Sequence, residues 1–349
     1  MLRRLLVVTA LLALGLLLLV AGLLGSAHLA IRGLGGPLPL VLTALEGRDL
    51  PVTIVVANTA SQRTPRAQVL DPARDPTPDA PYEMSHPAFV LAWPDGRKLL
   101  VDTGMERAAA RDFGRTLELV GAAPAEPHGS VVEQLPELAS GRLAVVFTHL
   151  HTDHTQGLGA LCAARGGAAI ELFQTPAQAA RGNYTTRPGA AAIEAAGCAR
   201  RTLLADEPLA PLPGFPGVGV VWAAGHTPGS QVVIAALRGE DGAPRRIAFA
   251  GDVANAVDGI RYDVPKPFLY RLLIVPEHEA RLAEVRRFLR HLEEVGVALA
   301  PSHDALHLRS LALPFAGDQS RNESSSGSVA TLARVPSAIA DATPSGPVP

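Results

Sequence analysis

The stretch AVVFTHLHTDHTQG (Ala144–Gly157) limits the possible folds more than any other part of the chain. Leu143–Phe147 is a short continuous apolar run, the pattern of a strand buried on both faces. A strand of that kind belongs in a sheet covered on both sides, which points to a layered α/β fold. Directly after it come His149, His151, Asp153 and His154, a tight group in a chain with 11 histidines. Imidazole and carboxylate are the donors that Zn²⁺ accepts, and three protein ligands with an open position form the catalytic arrangement. His149 and His151 project to one side as a two-imidazole claw, while Asp153 and His154 turn toward a neighbouring position. The cluster can therefore feed two adjacent ions.

Other strand-like runs end on residues of the same chemistry. AFVLAWPDGRKLLVDTG reads as a hairpin turning at Asp95 and Gly96, and it delivers Asp102. GVGVVWAA (Gly217–Ala224) leads to His226, RRIAFAGD to Asp252, and VALAPSHD to His303. In layered α/β folds, loops at the carboxyl ends of strands converge on one crevice. The spacing predicts a three-imidazole site of His149, His151 and His226. A second site of Asp153, His154 and His303 follows, with Asp252 bridging the two. Asp102 is expected to brace the loops through hydrogen bonds rather than to ligate. His303 is preferred over His307 because it sits at the strand's end. His28, His86, His128, His278 and His291 read as ordinary surface or packing residues.

The rest of the chain frames that constellation. PVTIVVANTA (Pro51–Ala60) reads as a strand, and a proline-rich loop near Arg63–Met84 follows, long enough to be disordered or a lid. A helical stretch is expected around Glu106–Val120. Leu282, Val285, Leu289, Leu292 and Val295 form the apolar stripe of an amphipathic helix stopped by Gly296.

The pattern His149-Leu-His151-Thr-Asp153-His154, His226 in GHTPGS, Asp252 in AGD and His303 in SHD resembles the metallo-β-lactamase superfamily. The order and scale of the intervals resemble that family's dinuclear hydrolase branch, especially its lactonase-like members, over roughly Phe89–His307. The resemblance implies an α/β fold of the αββα sandwich type, with the metals at one edge of two sheets. It further implies two divalent ions, zinc by expectation, although iron, manganese or cobalt also suits such donors. A hydroxide bridging the ions would attack a lactone or ester carbonyl of a small-molecule substrate, with Asp153 shuttling the proton. The bridging Asp252 argues against a β-lactamase, and no glutathione-binding pattern supports a glyoxalase II-like thioesterase. A net charge of −2 without a basic cluster argues against phosphodiesterase or nuclease branches and against nucleic acid as a partner. His151 stands where flavodiiron proteins carry glutamate. Acyl-homoserine lactonases carry a tyrosine three residues after the bridging aspartate, where this chain has Asn255; Tyr262 and Tyr184 are the candidate replacements. The Arg63–Met84 loop and the Thr175–Ala199 segment are the expected pocket walls. A membrane-tethered binding protein without catalysis would lack a ligand, and none is missing.

Arg3 and Arg4 precede an apolar run, Leu5–Leu24, in which only Thr9 is polar. Twenty residues at ~1.5 Å each span a bilayer's hydrocarbon core. Residues 1–30 thus read as a membrane anchor or, given GSAHLA after the run, a cleavable signal peptide. Either reading leaves Arg3 and Arg4 in the cytoplasm and exports the rest. In the first case the catalytic domain is anchored on the exported side of the cell membrane; in the second it is periplasmic or secreted. Residues 31–316 form the expected hydrolase domain, and 317–349, rich in Ser, Gly, Pro and Ala, a disordered tail. Cys162 and Cys198, the only cysteines, allow either a disulfide or two buried thiols.

Overall fold

A computed structural model describes residues 2–317 apart from 40, 41, 43, 44, 46, 48, 240 and 241. The tail expected from 317 onward therefore lies, but for Gly317, outside the described residues. Among the described residues twelve strands build two sheets. Strands β1 (Thr53–Arg63), β2 (Glu83–Ala92), β3 (Lys98–Val101), β4 (Glu126–Pro127), β5 (Leu143–Val146), β6 (Ile170–Gln174) and β7 (Ala199–Leu203) form the first, in the order β4-β1-β2-β3-β5-β6-β7. Strands β8 (Ala210–Pro211), β9 (Val218–Trp222), β10 (Gln231–Arg238), β11 (Pro244–Gly251) and β12 (Val297–Pro301) form the second, in the order β12-β11-β10-β9-β8.

Period-two alternation explains the layering. On β10, Val233, Ala235 and Leu237 face the first sheet, where Ile54, Phe89, Leu91 and Val146 meet them. The Phe89 and Phe249 rings close that gap with centroids 4.7 Å apart. The alternate residues Val232, Ile234 and Ala236 face outward onto Leu282, Val285, Leu289 and Leu292 of the helix Glu279–Glu294. On the other flank Ala88, Val90, Leu100 and Val145 pack under the helices Leu158–Ala164 and Arg187–Ala196. Both faces of both sheets are thus buried, as the unbroken apolar runs require. This is the αββα sandwich. Val295 is a correction to the expected stripe: the helix ends at Glu294, and Val295 turns out to solvent at 57% exposure.

Two local features prepare the edge where the chemistry collects. Gly251, at φ +53°, sits where a Cβ would lie 2.8 Å from Thr148, and Gly225 adopts φ +140° against Leu282. Each immediately precedes a sequence-predicted ligand, so only glycine lets those turns approach the neighbouring elements. The proline-rich loop is neither free nor a simple lid. Arg66 within it, buried, pairs with Asp75 at 2.6 Å and with Asp258 at 2.7 Å.

Cys162 and Cys198 are joined as a disulfide, with Cα atoms 5.7 Å apart, which settles the alternatives left by the sequence. The bond ties the end of the helix Leu158–Ala164 to the start of β7. Thiol titration of the denatured, unreduced protein should find no free thiol. Replacing both cysteines by alanine should lower unfolding free energy by about 2–4 kcal/mol in a denaturant titration.

Candidate metal centre

At one edge of the sandwich the carboxyl ends of β3, β5, β11 and β12 meet the loop after β9. The sequence-predicted residues converge there and are almost wholly buried: His149, Asp153, His154, His226, Asp252 and His303 are each under 7% exposed. His151 is the partly exposed member. His226 Nε2 lies 3.2 Å from His151 Nδ1 and 3.4 Å from Asp252 Oδ2, and His149 Nε2 lies 3.8 Å from the same oxygen. Across the carboxylate, Asp252 Oδ1 lies 3.4 Å from His154 Nε2 and 3.0 Å from His303 Nε2. Asp153 Oδ2 completes that side, 3.6 Å from His154 Nε2 and 3.4 Å from His303 Nε2. Bonds of roughly 2.0–2.2 Å around a tetrahedral ion put neighbouring donors about 3.3–3.6 Å apart. The spacing fits.

The unsatisfied atoms fit as well. His149 Nε2, His154 Nε2 and Asp252 Oδ1 have no hydrogen-bond partner although they are buried. Orphaned buried donors cost free energy unless something binds them, and a divalent cation is what this donor set would bind. Each ring is turned inward by an outer partner. His154 Nδ1 donates to Asp102 Oδ2 at 2.8 Å, and His303 Nδ1 donates to the Ser85 carbonyl at 2.7 Å. His226 Nδ1 meets Glu277 Oε1 at 2.6 Å, while His149 Nδ1 lies 3.2 Å from the Thr148 hydroxyl. His151 is reversed: its Nε2 meets Thr185 Oγ1 at 3.0 Å, leaving Nδ1 to face the cluster. Asp102 has the bracing role expected of it. Buried at φ +61°, it accepts the Thr148 N–H and hydroxyl besides His154.

Electrostatics divide the imidazoles. Burial holds His149 well below the usual histidine range, with His154 nearby adding to the effect. Burial and His226 together lower His151 to about 3. These rings are neutral at physiological pH, so their lone pairs are available without losing a proton. Burial opposes charge on His154 too, but the Asp153 and Asp102 carboxylates outweigh it and raise its pKa well above the ordinary value. His303 rises for the same reason, through Asp252 and Asp153.

Three residues escaped sequence reading. His86, expected to be a surface or packing histidine, is 2% exposed inside the cluster. Its Nδ1 lies 3.3 Å from Asp153 Oδ2, its ring meets that of His303 edge-on at 4.9 Å, and neither ring nitrogen has a hydrogen-bond partner. His86, Asp153 and His303 form a further group of donors close enough to share an ion. Its signal was indirect: Phe89 pairs with Val101 in the hairpin, so a residue three earlier reaches the edge where Asp102 lies. Pro87, ordinarily a strand breaker, hid that extension. A bulge in β1 accommodates it: Asn58 Oδ1 accepts the His86 N–H and Thr59 Oγ1 donates to its carbonyl. The other two are Glu277 and Lys266. The buried Lys266 ammonium donates to Glu277 at 2.7 Å and to the Asp252 carbonyl at 2.7 Å. Burial opposes the Glu277 charge, but Lys266 and His226 outweigh it and hold the carboxyl below its usual range. Only composition hinted at Lys266, as one of two lysines among 31 basic residues.

Of the remaining histidines, His307 points away and bonds the Leu299 carbonyl at 2.9 Å. Tyr262 is 60% exposed. Tyr184 stands beside the site, next to Thr185, with its hydroxyl on the Ile274 carbonyl at 3.3 Å. From the long loop, Tyr82 donates to the Asn255 carbonyl at 3.0 Å and also reaches the His303 carbonyl at 2.5 Å.

The profile of the metallo-beta-lactamase superfamily matches residues 82–303, which is most of the chain. The protein belongs to that superfamily. With this donor set it is a metal-dependent hydrolase. No curated protein matches the sequence. Among solved structures, an N-acyl homoserine lactone hydrolase with N-hexanoyl-L-homoserine at its catalytic metal centre is similar at 17% identity and TM-score 0.53, covering 75% of this chain and 96% of its own. A B. thuringiensis AiiA mutant with N-decanoyl-L-homoserine bound is similar at 16% identity and TM-score 0.53, with the same coverage. At such identities the likeness concerns the fold.

The outer partner of His226 gives a direct test. Glu277→Gln should weaken divalent-cation binding by roughly 10- to 100-fold in competition with a chromophoric chelator, without loss of the folded state.

Proposed function

We propose that the protein is a membrane-anchored hydrolase that opens lactone or related carboxylic ester bonds at a two-cation centre on the exported side. The observation that carries this reading is Asp252, whose carboxylate stands between the two donor groups, with Oδ2 3.4 Å from His226 Nε2, Oδ1 3.4 Å from His154 Nε2, and both oxygens within 3.2 Å of His303 Nε2. His149, His151 and His226 with Asp252 Oδ2 would hold one cation. Asp153, His154 and His303 with Asp252 Oδ1 would hold the other, with His86 as an added donor on that side. Bound cations of this kind supply Lewis acidity and bring the pKa of water toward neutrality. Zinc suits the donors, as do iron, manganese and cobalt.

The chain's own residues account for the rest. Asp153 stays ionised, since the neighbouring His154 outweighs the effect of its burial. It can take a proton from attacking water and return it to the leaving oxygen. Glu277, held by Lys266, keeps the His226 ring oriented, and Asp102 does the same for His154. Thr185 on His151, with Tyr184 beside it, would supply pocket wall, and Tyr82 of the proline-rich loop is buried against the His303 and Asn255 carbonyls. The solved neighbours, which bind opened acyl-homoserine products, support a lactone as substrate. Asn255 at the tyrosine position sets this chain apart from them.

Support for the anchor comes from the N-terminal helix Leu2–Ile31, the described helix long and apolar enough to cross a membrane. The disulfide fits an oxidising compartment.

Hydrolysis followed by pH-stat on lactones, aryl esters, a glutathione thioester, a β-lactam and a phosphodiester tests the assignment. Lactone opening should dominate and be abolished by chelator. Asp252→Ala should lower it by at least about a hundredfold with loss of bound metal. A chelator-sensitive rate confined to another substrate would overturn the lactone reading.

A further inference from the structure

The segment Pro265–Glu277 has polar ends and an apolar middle. Its ends carry Lys266 and Glu277, both clamped at the outer nitrogen of His226. Between them Phe268, Leu269, Leu272, Leu273 and Ile274 are 62%, 64%, 39%, 47% and 60% exposed. Five large apolar side chains turned to water within seven residues is not ordinary surface. The same segment touches the site's wall through Tyr184, whose hydroxyl bonds the Ile274 carbonyl.

Its other neighbour is the N-terminal helix. His28 Nε2 lies 3.1 Å from the Leu272 carbonyl. A second tether fixes the chain just beyond the helix: Arg281 Nη2 donates to the Gly36 carbonyl at 2.6 Å. The apolar run of the helix ends at Leu24, so His28 stands four residues, roughly 6 Å, beyond it. An anchored helix therefore sets the segment at the depth of the lipid headgroups, where Phe and Leu enter the acyl boundary.

We infer that Phe268–Ile274 is a membrane-dipping strap that opens the metal centre toward the bilayer, and that the substrate is an amphiphilic lactone or ester whose acyl chain is drawn from the lipid. The inference rests on the anchored, lactone-opening reading above. The covering partner is the bilayer, because the apolar side chains continue the surface begun by the anchoring helix.

The test uses the full chain in liposomes whose lipids are brominated along the acyl chains. Phe268→Trp and Leu273→Trp each add an emitter to the native Trp93 and Trp222. Val295→Trp is the control, since Val295 lies at the far end of the 16-residue helix that starts beside the strap. Brominated lipid should quench the added emission at 268 and 273 at least twofold and leave that at 295 unchanged. Equal quenching at all three positions, or none at 268 and 273, overturns the strap. Shielding at 268 and 273 with cross-linking of two chains through the strap also overturns it, because a second copy then covers the patch. In a second arm, Leu269→Asp with Ile274→Asp should lower the ratio of turnover on a vesicle-borne long-chain lactone to that on a short soluble lactone at least tenfold; an unchanged ratio overturns the acyl-entry role. Mass spectrometry of the mature N-terminus tests the anchor separately. A chain cleaved beyond the helix that still co-sediments with vesicles keeps the strap, and a cleaved chain that does not sediment removes it. Absence of all lactone turnover with intact quenching would instead sink the substrate reading alone.

Discussion

Four carboxylates, six imidazoles and one ammonium crowd one edge of the sandwich, and their mutual charge balance governs everything around them. Asp153 and Asp252 stay ionised at that depth because the neighbouring imidazoles outweigh the effect of burial. Neighbouring carboxylates outweigh burial and raise the pKa of His154 and His303, whereas burial prevails at His149, His151 and His226 and lowers theirs.

Holding such a cluster demands a rigid frame, and the sandwich provides it by burying each sheet on both faces. Rigidity comes from the interlock of Phe89 with Phe249 and from the alternation along β10, not from the loops that carry the ligands. The loops are fixed one contact further out. Asp102 binds Thr148 and His154 together, Ser85 fixes His303, and the Lys266–Glu277 pair fixes His226. Lys266 is also bound to the Asp252 carbonyl, so one buried ammonium positions ligands of both donor groups. A centre that must hold donors within tenths of an ångström uses its outer contacts as fully as its inner ones.

What the sequence disclosed divides along physical lines. Strands buried on two faces announce themselves as unbroken apolar runs, and the histidines and aspartates at their carboxyl ends are local to those runs. His149 through His154, His226, Asp252 and His303 were legible for that reason. His86 was not, because Pro87 breaks the strand signal and a bulge in a different strand repairs it. Glu277 and Lys266 were hidden because they act across 51 and 40 residues of chain on His226, with no periodicity to betray them. The disulfide stayed open for a related reason: 36 residues of separation say nothing about whether two Cα atoms come to lie 5.7 Å apart. Val295 illustrates the opposite error, a correct period extended one residue past the helix end.

The strap joins the two halves of the molecule that composition alone keeps apart, a bilayer helix and a polar metal pocket. An enzyme acting on a soluble substrate gains nothing from five exposed apolar side chains at the rim of its site, and in water they would promote association. Beside a membrane the same residues lose less by burial in lipid than by exposure, so the anchoring helix turns a liability into a docking surface. Both ends of the strap close on His226 through Lys266 and Glu277, so the apolar side chains that would enter lipid and the imidazole of the site are carried on one short stretch of backbone.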